Sequence, residues 1–309
     1  RFAARQPLPR VEGVQGVRIA LPRWRNAGLG RQRLTDHLRT VQHLTAAAPL
    51  DLIVFPELSL CGYPVDAGLN DDAAIADVAQ PLESSAAVQR LAELAAQVRC
   101  AVVFGMAEAV DGVVYDSVVM ADATGTVSSY RKVHLTDGER RIFAPGDRAV
   151  VVRAVIGAEP APITVGHPPC FDKQFPAVYQ QQRELGARLS IISSAWSSSV
   201  PRPGRGGGRE DVLAMQSRLF DRARAAETGM VVVSTNFLGL KRPGSLASFC
   251  GGARVVDPLG REIAPDPGAP GRRTWDVDLL AMLGGRPSAI GGDPATPVAL
   301  ADAVVPPSS

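Results

Sequence analysis

Cysteine and histidine are scarce in these 309 residues, and the shortage excludes several functions at once. The four cysteines, Cys61, Cys100, Cys170 and Cys250, stand 39, 70 and 80 residues apart. Such spacing suits neither a disulfide framework nor the paired Cys-x-x-Cys of a zinc site, so four thiols in a reducing compartment are expected. Of the four histidines, His134 and His167 are too isolated to build a metal centre, and neither a metal nor a cofactor is expected. Long hydrophobic runs are missing too. Nowhere do 18 apolar residues follow one another, and Arg1, Arg5 and Arg10 lead into no apolar stretch of signal-peptide length. The expectation is a cytoplasmic protein with no membrane partner; the opening Arg1, in place of Met, is read as a trimmed start. Charge of one sign is also lacking. The 33 basic and 31 acidic residues are mixed along the chain and leave a net charge of +2, with no basic block to mark a nucleic-acid surface. No Gly-x-Gly-x-x-Gly or Gly-x-x-x-x-Gly-Lys motif stands where a strand runs into a helix. The Gly/Arg-rich run 202–210 has no strand leading into it and reads as a flexible surface or active-site loop.

What is present is a globular composition, 46% hydrophobic and 21% charged. Short β-branched runs at 17–21, 51–55, 101–105, 149–153, 189–193 and 229–235 predict buried strands. Between them Leu34, Leu38, Val41 and Leu44, then Val88, Leu91, Leu94 and Val98, recur at helical spacing. Further helices are predicted after Pro176 and over about 210–227. Hairpins are predicted around Thr124-Gly125 and Pro258-Leu259-Gly260, and a strand at RRTWDVDL. Strands and helices in alternation argue for an α/β protein with helix-covered sheets.

Three stretches carry the candidate chemistry. FPELSLCGYP puts Glu57 at the carboxyl end of an apolar strand, where open α/β sheets place their ligand sites, although a loop carboxylate in water would look the same. YRKVHLTDGERRIFAPGD puts Lys132 after another strand and Glu139 seven residues on, a pair that also fits a solvated turn. HPPCFDKQFP, residues 167–176, sets Cys170 between a strand end and a helix N-terminus. There the unpaired N–H groups, the helix dipole and a neighbouring lysine are expected to stabilise a thiolate. No histidine-based triad is apparent, so the base of a working thiol is expected to be a carboxylate.

Together with LGARLSIISSAW, RARAAETGMVVVSTN and GGARVVDPLGREIA, these stretches resemble the nitrilase superfamily of carbon-nitrogen hydrolases in order and spacing. The resemblance covers about residues 14–283, leaving a loose N-terminal arm (1–13) and a Pro/Ala/Gly-rich tail (284–309). It implies a four-layer α-β-β-α sandwich, associated through a helical face into a homodimer or larger homo-oligomer. It also implies a Glu-Lys-Cys triad at Glu57, Lys132 and Cys170, with Glu139 as a second glutamate that orients Lys132 or the substrate. Glu57 would serve as general base and then acid, Cys170 as nucleophile, and Lys132 with the backbone N–H of Phe171 as oxyanion partners. Cys170-Phe171-Asp172 is nearer to the Cys-Tyr-Asp of amidases and carbamoylases than to the Cys-Trp-Glu of nitrilases. A small amide or N-carbamoyl substrate is thereby implied; a nitrilase, or a catalytically silent binding or assembly protein, are the alternatives. D-carbamoylases grip a substrate carboxylate with arginines three and four residues after the cysteine. Here Lys173 and Gln174 occupy those positions, and Ala177 stands where glutamate is usual. Phe171, Lys173, Gln174, Trp196 and Tyr63 are the expected substrate-binding residues.

Overall fold

The computed structural model describes residues 16–26, 29–30, 33–64, 71–157, 162–199, 211–241, 248–265 and 274–278. The expected arm (1–13), the loop at 202–210 and the tail (284–309) lie outside these. Elements follow the order β1 (Gly16–Ala20), α1 (Leu34–Ala47), β2 (Leu52–Val54), α2 (Asp71–Val78), α3 (Ala86–Val98), β3 (Ala101–Val110), β4 (Val113–Ala121) and β5 (Val127–Arg131). Then come β6 (Val151–Ala154), β7 (Ile163–Gly166), α4 (Pro176–Glu184), β8 (Leu189–Ser194), α5 (Val212–Thr228) and β9 (Val231–Asn236). The last are β10 (Leu238–Leu240), β11 (Ser248–Cys250), β12 (Arg254–Val256), β13 (Glu262–Ile263) and β14 (Thr274–Asp278).

Successive strand residues point to opposite faces, and here both faces are apolar, so each strand must be covered twice. Leu52 and Val54 of β2 join Ala101 and Val103 of β3 in one core, where Leu189 and Ile191 of β8 and Val231 and Val233 of β9 meet them. This core holds strand residues of both sheets. The alternate residues Ile53, Val102 and Phe104 pack outward on Val41 of α1 and Leu91 and Ala95 of α3. On the far side Ile192, Val232 and Val256 pack on Val178 and Tyr179 of α4 and Ala225 of α5. The result is the four-layer α-β-β-α sandwich.

One sheet has the order β14-β1-β2-β3-β4-β5 and the other β13-β12-β9-β8-β7-β6; β10 and β11 form a separate ribbon. In each sheet three central strands run parallel, joined by helical crossovers, and antiparallel strands flank them. The strand expected at 101–105 continues to Val110 and turns directly into β4. Asp111 and Gly112, at φ 50° and 79°, supply the two left-handed residues that a tight hairpin needs. Helix α2 and the β10–β11 ribbon were not expected from the sequence. No helix among the described residues is long and apolar enough to cross a membrane.

Candidate active site

Glu57, Lys132 and Cys170 all stand just past the carboxyl ends of strands, and both sheets contribute. Glu57 follows β2, Lys132 follows β5, and Cys170 follows β7 as the first residue of a 3₁₀ turn over Cys170–Gln174. Glu139 opens a second 3₁₀ turn, Glu139–Arg141. The sheets are tied together here. Ser193 of β8 donates to the Phe55 carbonyl at 2.9 Å, and the Ala195 N–H donates to Glu57 Oε2 at 2.8 Å.

The turn that carries Glu57 is fixed from below. Leu58 takes a left-handed φ of 48°, and the Leu60 N–H reaches the Gly105 carbonyl at 2.9 Å. A Cβ on Gly105 would stand 2.0 Å from the Leu58 nitrogen, so only glycine lets β3 run this close beneath the turn. From the side, neutral His37 of α1 donates from Nδ1 to the Arg33 carbonyl at 2.8 Å and accepts from Ser59 at Nε2, 3.1 Å away.

The ammonium of Lys132 is the hub. It donates to Glu57 Oε1, to Glu139 Oε1 at 2.6 Å and, at 3.4 Å, to Asp116 Oδ2. All four side chains are buried. Oxygens of Glu57, Asp116 and Glu139 lie within 4.8 Å of one another, a spacing that would suit a metal ion, and the cation they surround is Lys132. Burial penalises the ammonium, but Glu139, Glu57 and Asp116 outweigh that and hold its pKa well above the ordinary lysine value. Burial likewise opposes the charge of Glu139. Lys132 and hydrogen bonds from Thr136 and Tyr63 prevail and keep Glu139 below the usual carboxylate range. Glu57 goes the other way, pushed up by burial more than Lys132 pulls it down. Two carboxylates on one ammonium are therefore driven apart, and Glu57 is the one suited to take a proton.

Cys170 is buried and has a φ of 27°, a backbone state that costs a non-glycine residue about 1–3 kcal/mol. The expected thiolate is not what this environment favours. Burial first, and the charge of Glu57 second, push the thiol well above its ordinary pKa, and Lys132 and Lys173 offset only part of this. The turn it opens is a short 3₁₀ segment, and α4 starts only at Pro176, so the helix dipole expected at the sulfur is weak. Cys170 is a neutral thiol at rest and needs a base.

Asp172, read from the sequence only as part of Cys170-Phe171-Asp172, couples the nucleophile turn to the segment after the lysine. Its Oδ1 accepts from the His134 N–H at 2.8 Å and from His134 Nδ1 at 2.7 Å, and its Oδ2 accepts from the Val133 N–H at 3.2 Å. The two backbone donors are the residues directly after Lys132. Asn236 does similar work at the end of β9, accepting from the Trp196 N–H at 2.9 Å and donating to the Trp196 carbonyl at 3.1 Å. Asp116 was missed as well. It lies in the row Asp116, Val118, Met120 on the face of β4 that packs between the sheets, and a charged residue in a buried row was the available signal.

The expected substrate-binding residues divide. Tyr63 joins the cluster, its hydroxyl donating to Glu139 Oε1 at 2.7 Å. Trp196 is buried beside the Ala195 N–H that holds Glu57. Phe171 is half-buried, edge-on to Phe175, and Gln174 is half-buried at the end of the 3₁₀ turn. Lys173 differs from the expectation. Fully buried, its ammonium donates to Ser217 Oγ at 2.7 Å and Asp221 Oδ1 at 3.2 Å on α5 and lies 4.7 Å from the centre of the Trp196 ring. Two of its three N–H donors are thereby given to the fold.

A model of the carbon-nitrogen hydrolase family matches residues 23–278. The chain belongs to this family, the nitrilase superfamily, on its amidase-like branch. An (R)-stereoselective amidase of a Pseudomonas species is 34% identical over 219 residues, 70% of this chain and 69% of the relative. A probable nitrilase of Schizosaccharomyces pombe is 26% identical over 253 residues, 80% and 82% of the two chains. Among solved structures, Nit3 of Saccharomyces cerevisiae superposes with a TM-score of 0.69 at 20% identity, covering 87% of this chain and 92% of that one. An amidase from Nesterenkonia sp. gives 0.66 at 24% identity, covering 86% and 92%. Carbon-nitrogen bond hydrolysis is the chemistry of the family to which this chain belongs.

Proposed function

We propose that the protein hydrolyses the C–N bond of a small linear amide or N-carbamoyl compound through a thioester on Cys170. The observation that carries this reading is a neutral, buried thiol grouped with a carboxylate whose pKa is raised and whose two oxygens are anchored by Lys132 and the Ala195 N–H. Glu57 takes the thiol proton as Sγ bonds to the carbonyl carbon. Lys132 and the Phe171 N–H stabilise the oxyanion that develops, and a donor of that kind is worth about 3–4 kcal/mol of barrier. Protonated Glu57 then hands its proton to the nitrogen, the C–N bond breaks, and ammonia or an amine leaves. Glu57 next deprotonates a water; its oxygen bonds to the carbonyl carbon, the C–S bond breaks, and the proton returns to sulfur. Glu139, held ionised by Lys132, fixes the ammonium throughout.

The amidase relative favours an amide over a nitrile, and so does Cys170-Phe171-Asp172. An amidase mutant of Nesterenkonia sp. AN1 carries the acetamide moiety of fluoroacetamide on its active-site cysteine, and this reading likewise makes Cys170 the reactive nucleophile. For assembly we propose a homodimer through α5. Val212, Met215 and Leu219 form one exposed apolar stripe on that helix. The test offers paired amides, carbamoyl compounds and nitriles, with both enantiomers of chiral amides, to the wild type and Cys170→Ala. The expected result is ammonia release from amide or carbamoyl substrates by the wild type and none by the variant at an unchanged melting temperature. Turnover by Cys170→Ala, or release from nitriles alone, would overturn the reading.

A further inference from the structure

The cluster around Lys132 contains one carboxyl more than the proposed mechanism uses. Asp116, from the middle of β4, is fully buried, and its Oδ2 receives only the long 3.4 Å contact from Lys132. Its Oδ1 has no hydrogen-bond donor. Its carboxyl nevertheless faces that of Glu57, with an oxygen of each within 4.8 Å of the other, and the two interact as a hydrogen-bonding pair. Two carboxylates have only lone pairs to offer each other, so this approach needs a proton between them.

The surrounding groups decide where that proton sits. Glu57 holds the stronger donors, the Lys132 ammonium and the Ala195 N–H, and these favour its charged form. Glu139, on its 3₁₀ turn, has Lys132, Tyr63 and the Thr136 N–H. Cys61, on the turn after β2, is a neutral thiol, its pKa pushed up to about 12 by burial. Tyr63 is pushed up in the same way, and Cys170 is neutral at rest. Lys132 is thus the one cation facing Asp116 among the described residues. Three ionised carboxylates around it would leave two buried negative charges uncompensated, and protonating Asp116 removes one of them. Burial and the charge of Glu57 favour the same state, raising the Asp116 pKa well above its ordinary value.

Resting on the reading of Glu57 as the base, we propose that Asp116 works as a neutral carboxylic acid that donates its proton in a hydrogen bond to Glu57. It positions the base and caps the cluster without adding charge. It is a positioning residue. The bond orients the Glu57 carboxylate and keeps Lys132 from being drawn away towards a third anion. Ionisation of Asp116 at high pH breaks the bond and adds that anion, so it sets an alkaline limit on kcat.

The test compares Asp116→Ala with Asp116→Asn, whose amide keeps an N–H donor and no charge. The alanine variant is expected to lose about a hundredfold in kcat, the scale of a misplaced catalytic group, with the asparagine variant restoring it to within about threefold. The alkaline limb of the kcat profile should shift to higher pH in Asp116→Asn. An infrared spectrum of the inactive Cys170→Ala protein at pH 7 should show a carboxylic-acid carbonyl band that Asp116→Asn, introduced into it, removes. Equal impairment of the asparagine and alanine variants, or the absence of that band, would overturn the proposal. The infrared measurement requires no turnover, so its outcome stands apart from whether Cys170 is the nucleophile.

Discussion

At the scale of single residues, burial separates what a side chain is from what it does. Lys173 stands where a substrate-gripping residue was expected, yet its charge is committed to Ser217, Asp221 and the Trp196 ring. Asp221 also receives Arg254, while Arg224 Nε holds the Lys173 carbonyl at 3.0 Å, so the nucleophile turn is riveted to α5. Lys173→Ala is therefore expected to lower stability by about 3 kcal/mol, the usual result of leaving one partner of a buried ion pair behind. A urea titration measures that loss. The relative KM values for neutral and carboxylate-bearing amides should not change. Glu57, Lys132, Glu139 and Cys170 could be singled out because each lies in a distinctive motif, and the structure brings Glu57 and Glu139 together on the Lys132 ammonium. The ionisation state of Cys170 was not legible, since it depends on burial and on Glu57, 113 residues away in the chain. The roles of Asp116 and Asp172 were hidden for a similar reason: their partners Lys132, Val133 and His134 lie on the distant segment that follows β5.

At the scale of elements, the strands were the most legible part, because runs such as Leu52–Val54 and 231–233 are apolar on both faces. The two-residue turn at Asp111-Gly112 went unread, since Val113 and Val114 continue the apolar run beyond it. Helix α5 shows what periodicity alone does not distinguish. Its buried positions include Ser217, Asp221, Arg224 and Thr228, and its solvent side carries Val212, Met215 and Leu219, an inverted amphipathic pattern. Helix α1 makes a measurable contribution through His37. Burial lowers its pKa to about 4, so between there and the ordinary value of 6.5 the unfolded chain binds a proton that the folded one refuses. Stability from this residue is complete above pH 6.5 and is lost as pH falls towards 4, by about 3 kcal/mol. His167, buried and also lowered to about 4, acts in the same direction. Urea midpoints at pH 7.5 and 4.5 should show the loss, and His37→Gln should flatten the dependence; an unchanged slope in that variant would remove His37 as its source.

At the scale of the whole molecule, the exposed stripe on α5 is the surface proposed above for a second copy. Met215→Glu combined with Leu219→Glu is expected to halve the mass measured by light scattering while circular dichroism stays unchanged, and a dimer persisting in the double variant would send the interface elsewhere. The division of labour between the sheets has its own consequence for synthesis. Glu57, Lys132 and Glu139 leave the ribosome before Cys170, and Ala195, which anchors Glu57, comes later still. The sheet bearing Glu57 and Lys132 gains its last strand only when β14 returns from the C-terminal side to pair with β1, Gly16 against Asp278 and Ala20 against Thr274. A nascent chain thus carries Cys170 before the Ala195 anchor of Glu57 and the edge strand β14 have been made.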